Sequence, residues 1–197
     1  AIIFGVLAAL YRDTWVDQVI RVLSIISIAS PSFWLGVLLI FLLQIQLGWL
    51  PASGDLVPFT ADPGEYMARM AMPCFAMALP LAGQMTRIIR TSMVEELDKD
   101  YVRTAIGAGV PRRVVIARNV FRNALITPVT VLGMKIGYLM GGAIVIEIIF
   151  ALPGMGTALF DGINNNQPQL VQGVVLVVAL SFIIINITCS RSHSMGT

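Results

Sequence analysis

VLSIISIASPSFWLGVLLIFLLQIQLGWLPASG, running from Val22 to Gly54, contains no charged residue. Gly162 to Ser190 is charge-free as well, and Met70 to Thr86 is a shorter stretch of the same kind. A helix needs about 20 mostly apolar residues to cross the ~30 Å hydrocarbon core of a bilayer. These runs predict helical spans near Val22–Leu47, Met70–Ile89, Asn123–Ile149 and Leu170–Thr188. A small soluble core can bury one run such as Val174–Ile187, but not four. Composition points the same way: 57% of the 197 residues are hydrophobic and 12% charged, whereas a soluble domain carries about 25% charged residues. The expected fold class is all-α, a polytopic transmembrane helical bundle.

Ala1–Leu10 is apolar but too short to span, and it lacks the basic segment and small-residue cleavage site of a signal peptide. It reads as the tail of a span that begins before Ala1, so the chain is expected to be a fragment. The expected layout is a membrane domain over residues 1–190, containing a structured loop over 87–122, and a polar tail over 191–197.

The cations orient the spans, because cytoplasmic loops are enriched in Lys and Arg. Tyr11–Arg21, Arg87–Arg122 and the tail together hold eleven of the 13 cations. The alternate segments hold only Arg69, and Lys135 lies within a span. The Arg87–Arg122 loop is therefore expected in the cytoplasm, with Leu50–Gly64 and Leu152–Pro168 outside.

Several function classes are disfavoured. Two cysteines, Cys74 and Cys189, cannot build a disulfide scaffold or a thiolate zinc cluster, and the single His193 sits in the tail. No catalytic residue, metal ligand set or resident cofactor is expected. No Gly-x-x-x-x-Gly-Lys-Ser/Thr phosphate loop occurs, so any ATP hydrolysis belongs to another chain. A net charge of +2 gives no reason to expect nucleic acid. The ten methionines are scattered without a repeat, which fits membrane packing better than soft-metal binding.

The Arg87–Arg122 loop reads as helix, corner, helix. Asp100 suits the N-cap of a helix over Tyr101–Ala108. Gly109 suits the left-handed position that ends it, and Pro111 suits the first turn of a second helix over Pro111–Leu125. Tyr101 and Ala105 share a face at i, i+4 spacing, where small residues permit a close approach. A solvated connector whose cations only set topology is the plainer reading.

These residues carry a resemblance. Tyr101-Val-Arg-Thr-Ala-Ile-Gly-Ala-Gly109, followed by Arg118-Asn-Val-Phe-Arg-Asn-Ala-Leu125, resembles the EAA loop of bacterial ABC importer permeases. The narrower likeness is to the B-type subunit of the dipeptide/oligopeptide/nickel family. Pro31-Ser-Phe-Trp-Leu-Gly36, Leu47-Gly-Trp-Leu-Pro51, Gly141-Gly142 leading to Glu147, and Pro153-Gly-Met-Gly156 belong to the same likeness. It implies a permease subunit of the bacterial inner membrane that forms half of a translocation path for di- or oligopeptides. It further implies a companion permease, two cytoplasmic ATPase subunits that bind ATP and Mg, and an extracytoplasmic solute-binding protein. Carried over by position, Tyr101, Arg103, Thr104, Ala105 and Gly109 would be the ATPase-coupling residues. Relatives carry a start helix and a long external segment ahead of the region matching Ala1, and end differently from Ile187–Thr197. Pro128 stands one place later than the proline of many relatives. Nickel or glutathione cargo, an ion-coupled secondary transporter and a non-transporting scaffold are the alternatives.

Within the spans, Gly133, Gly137 and Gly141 recur every fourth residue, a stripe that favours close helix packing in lipid. Lys135 and Tyr138 lie on another side of that helix. A mid-span cation costs roughly 2.5–3.5 kcal/mol on insertion scales. One expectation is that Lys135 and Tyr138 line the path and attract an anionic group; the other is an internally paired or snorkelling lysine. Glu147 is expected near the external end, as a gate or paired with an amide or cation of a neighbouring subunit. Gln84 suits an interhelical hydrogen bond. Pro31, Pro73, Pro80 and Pro128 are expected at kinks or helix starts. The external Leu152–Pro168 segment is expected as a short folded-back helix or a linker.

Overall fold

In the computed structural model, residues 1–51 and 58–194 are described, with the side chains of Gly137, Tyr138, Met140, Asn186 and 188–194 excepted. Among the described residues every regular element is a helix. α1 spans Ile2–Leu10, α2 Trp15–Ala29, α3 Ser32–Leu39, α4 Pro63–Leu97 and α5 Asp100–Gly107. After them come α6 Arg112–Val114, α7 Phe121–Ala124, α8 Ile126–Ile149, α9 Met155–Asn164 and α10 Pro168–Ser194. π-helical turns extend α3 over Ile40–Gln46 and join α6 to α7 over Val115–Val120.

Three helix boundaries depart from the expected ones. Val22–Leu47 is not one helix: α2 stops at Ala29, and Pro31 is the extended N-cap of α3, with φ −62° and ψ 141°. Proline offers no N–H to continue α2 and pushes Ser30 out of helical conformation. Met70–Ile89 is the middle of the longer α4, which carries Pro73 and Pro80 inside it. Asp100 is the first residue of α5, not its cap: Lys99 holds the cap position and Asp100 places its carboxylate in the first turn, where the helix dipole favours it. Among the described residues, by length and composition, Pro168–Ile185 alone is a single helix able to cross a membrane, and up to three crossings result if each of two bent helix pairs counts as one.

The chain divides into two compact units. The first, Ala1–Ala29 with Leu81–Gly133, centres on Ala9, Met85, Ile89, Met93, Val102, Val115, Val120 and Ala124. Helices approach closely here at two glycines. A Cβ on Gly5 would lie 2.7 Å from the Ile89 Cβ, and one on Gly83 would lie 2.9 Å from the Ser24 carbonyl. Across this unit, Asp17 of α2 is wholly buried and accepts two bonds of 2.6 Å from the Arg90 guanidinium of α4. Arg21 and the Asp13 amide donate to the same carboxylate at 3.0 and 3.2 Å. The fork geometry satisfies both carboxylate oxygens at once, which is what makes a buried pair tolerable.

The second unit, Ser30–Pro80 with Met134–Thr197, packs Leu35, Met72, Ala76, Ile146, Phe150 and Leu152 together. α8 ends with Ala151 in the left-handed region at φ 50°, and the Leu152 amide reaches back to the Glu147 carbonyl at 2.9 Å.

Asp17→Asn is expected to lower stability by about 2–3 kcal/mol, because it leaves the half-buried Arg90 charge short of a partner. Arg90→Lys keeps the charge without the fork and is expected to cost about half as much. Thermal unfolding of the two variants in detergent measures both.

Candidate functional site

The Arg87–Arg122 segment folds as a knuckle built in a definite way. α4 runs on to Leu97, so the turn begins only at Asp98. α5 then ends in a Schellman stop. The Gly109 amide donates to the Ile106 carbonyl at 3.0 Å and the Val110 amide to the Ala105 carbonyl at 3.1 Å, satisfying carbonyls that a helix end leaves open. The stop requires a left-handed residue, and Gly109 supplies it at φ 87°. Pro111 follows as the extended N-cap of α6, and its carbonyl accepts the Val114 and Val115 amides at 2.9 and 3.2 Å. The helix–corner–helix reading therefore stands at the first turn. The second helix runs without a break over α6, a π-helical stretch and α7, from Arg112 to Ala124.

The knuckle is fastened to its own unit. Val102, Val115 and Val120 are buried in the first core. The Tyr101 hydroxyl donates to Glu96 at 2.9 Å. Partial burial and then the Glu96 carboxylate push the Tyr101 phenol above its ordinary range, so it remains a neutral donor. Lys99 pairs with Glu96 from the other side, and Arg12 reaches Asp98 at 3.0 Å.

This anchoring redistributes the expected coupling residues. Tyr101 and Ala105, read from the sequence as one docking face, are half-buried against the chain's own core. Arg103, Thr104 and Gly109 are exposed. Exposed with them are Ile106, Val110 and Val114, three apolar side chains among Arg103, Arg112 and Arg113. The tip thus offers apolar surface in a cationic setting, on a short helix held from behind.

The residues expected along the path belong to α8, in the second unit. Lys135 is half-buried on α8, whereas the Tyr138 side chain and Gly137 lie outside the described residues. Gly141 is open, since a Cβ there would meet nothing within 4 Å. Glu147 finds its amide partners within this chain: its Oε2 accepts from Gly156 at 2.7 Å and from Thr157 at 3.3 Å. It thereby caps the N-terminus of α9, whose exposed N–H groups and dipole favour an anion. Gly154 and Gly156 make this approach possible, because a Cβ on Gly156 would lie 2.6 Å from the Ile144 Cα. The Leu152–Pro168 segment contains a helix, and Glu147 positions it. Beside this cap, Glu147 also borders an apolar cleft of about 930 Å³ between α8, α9 and α10. Among the described residues no three His, Cys, Asp or Glu side chains gather to hold a metal ion.

Comparison with known proteins bears on this arrangement. Residues 1–194 match the family described as binding-protein-dependent transport system inner membrane component. The chain is 40% identical over 186 residues to a protein of Brucella suis biovar 1 provisionally named a peptide transport system permease protein, covering 94% of this chain and 59% of that one. A Brucella abortus protein of the same name matches to the same extent. It is 36% identical over 191 residues to the glutathione transport system permease protein of Escherichia coli K12, covering 95% of this chain and 60% of the relative. The chain spans about three-fifths of the length of these curated relatives. With a family match along nearly its whole length and an all-helical fold that agrees with it, the chain belongs to the binding-protein-dependent inner membrane permease components of ABC importers.

Proposed function

We propose that this chain is a multi-pass subunit contributing half of a solute path, with peptides as cargo, and that the α5–Gly109–α6 knuckle couples it to a cytoplasmic ATPase. The observation that carries this reading is the build of the knuckle: a Schellman-stopped helix, buried on one side through Val102 and exposed at its tip. A motor's stroke needs a stiff element to travel through, and a helix tied to α4 by Tyr101 and packed through Val102 with Val115 and Val120 is stiff where a solvated loop is not. The cation distribution supports a cytoplasmic position for the knuckle. Arg103, Thr104 and Gly109 are the residues assigned to contact and corner, with Tyr101 and Ala105 assigned to hold the tip in place. Companion permease, two ATPase subunits with ATP and Mg, and an external binding protein complete the assembly.

The names of relatives support peptide cargo, with glutathione, itself a small peptide, as the second reading. Lys135 is assigned to the path as an electrostatic attractor for a carboxylate, on the ground that a half-buried cation within an apolar helix is costly to keep facing lipid.

Gly109→Val places a β-branched residue at φ 87°, a strain of about 1–3 kcal/mol. It is expected to cut transport while leaving basal ATP hydrolysis by the assembled complex in place, whereas Gly109→Asn, which tolerates the left-handed region, stays near wild type. Transport and hydrolysis assayed together check this; unaltered coupled transport in Gly109→Val contradicts it. Lys135→Gln is expected to reduce uptake of acidic peptides several-fold more than that of neutral ones. Equal effects on the two cargo classes in vesicle uptake would contradict the assignment.

A further inference from the structure

A polar cleft of about 450 Å³ opens in the first unit, lined by none of the exposed residues of the knuckle tip. One wall is a face of α4 on which Gln84, Arg87, Thr91 and Glu95 follow at three- and four-residue intervals, the spacing that aligns side chains along one side of a helix. Ile28 adds an apolar edge, and the buried Ser92 hydroxyl group lies at its back. Arg12, Arg21, Arg69, Arg90 and Lys99 all sit in ion pairs. Among the described residues Arg87 and Glu95 do not, although they carry opposite charges on one wall.

Their spacing has a chemical counterpart. Eight helical residues separate them by about 12 Å along the axis, and an extended tripeptide spans about 10 Å. The Arg87 guanidinium is a fork suited to a carboxylate. Glu95 lies two residues from the end of α4 at Leu97, where the helix dipole also favours a cation. Gln84 and Thr91 bring both donors and acceptors to meet the peptide groups of a bound chain.

We propose that this cleft binds short zwitterionic peptides, with the terminal carboxylate on Arg87 and the terminal ammonium on Glu95. That the cleft faces the cytoplasm, and so receives peptide after translocation, rests on the topology proposed above; the binding itself does not.

The test uses the full chain reconstituted in lipid nanodiscs, with trialanine as probe and calorimetric titration as readout. Trialanine is expected to bind saturably, and N-acetyl-trialanine amide, which lacks both terminal charges, is expected not to. Arg87→Gln and Glu95→Gln are each expected to weaken trialanine binding about fivefold, the scale of a part-exposed charge pair. The exchange Arg87→Glu with Glu95→Arg restores it by reversing the peptide. Helical content by circular dichroism identifies any variant that fails to fold, and the two peptides on the unaltered chain test the proposal without any variant. Equal binding of the blocked peptide, no saturable trialanine binding, or unchanged affinity in both folded single variants overturns the proposal. None of these outcomes bears on the Gly109 coupling assay, so failure of the cleft and failure of the permease reading are separable.

Discussion

The wholly buried Asp17 carboxylate, gripped through both oxygens by the Arg90 guanidinium, fixes α2 against α4 within the first unit. Much of what that unit does follows from it. Arg90 lies seven residues before α4 ends at Leu97, so the pair determines where that end stands. From there Glu96 holds Tyr101 and Asp98 holds Arg12, which aims α5. Gly83, on the same helix, lets α4 lie against Ser24 and Ser27 with no side chain between them. Charge pairing and glycine contact act together here: the bidentate geometry offsets the desolvation of the buried Asp17 carboxylate.

The second unit solves a comparable problem with backbone groups in place of a cation. Glu147 would be a liability in an apolar helix, yet Oε2 meets the Gly156 and Thr157 amides at the start of α9. A helix N-terminus provides donors without a counter-charge, so the segment after α8 folds back as α9, whose first turn Glu147 caps. The two glycines of Pro153-Gly-Met-Gly156 are there for clearance.

Local rules make the knuckle legible in the sequence. A Gly-Val-Pro corner dictates a left-handed stop and then a helix start, and both occur at Gly109 and Pro111. The helical, membrane-type composition was equally plain. Asp17 and Arg90, 73 residues apart, leave no trace in spacing, and nothing in a single sequence joins Gly83 to Ser24. Of the stripe Gly133, Gly137, Gly141, Gly141 is open within this chain, while close contacts of described glycines include those at Gly5, Gly36, Gly83 and Gly156. Proline position is legible at Pro31, which starts α3, while Pro73 and Pro80 lie inside α4. The i, i+4 pairing of Tyr101 and Ala105 was right as geometry. Which side of α5 faces the core depends on Val102 and Val115 packing together, a tertiary fact.

The account turns on the exposed tip of α5 lying on the cytoplasmic face. With Cys74 and Cys189 changed to Ser, an Ala108→Cys substitution puts one thiol at that exposed tip. Labelling with a membrane-impermeant maleimide in sealed vesicles of either orientation reads the side directly. The account predicts labelling in inside-out vesicles only, and reduced labelling once an ATPase subunit is bound. Labelling confined to right-side-out vesicles would contradict it.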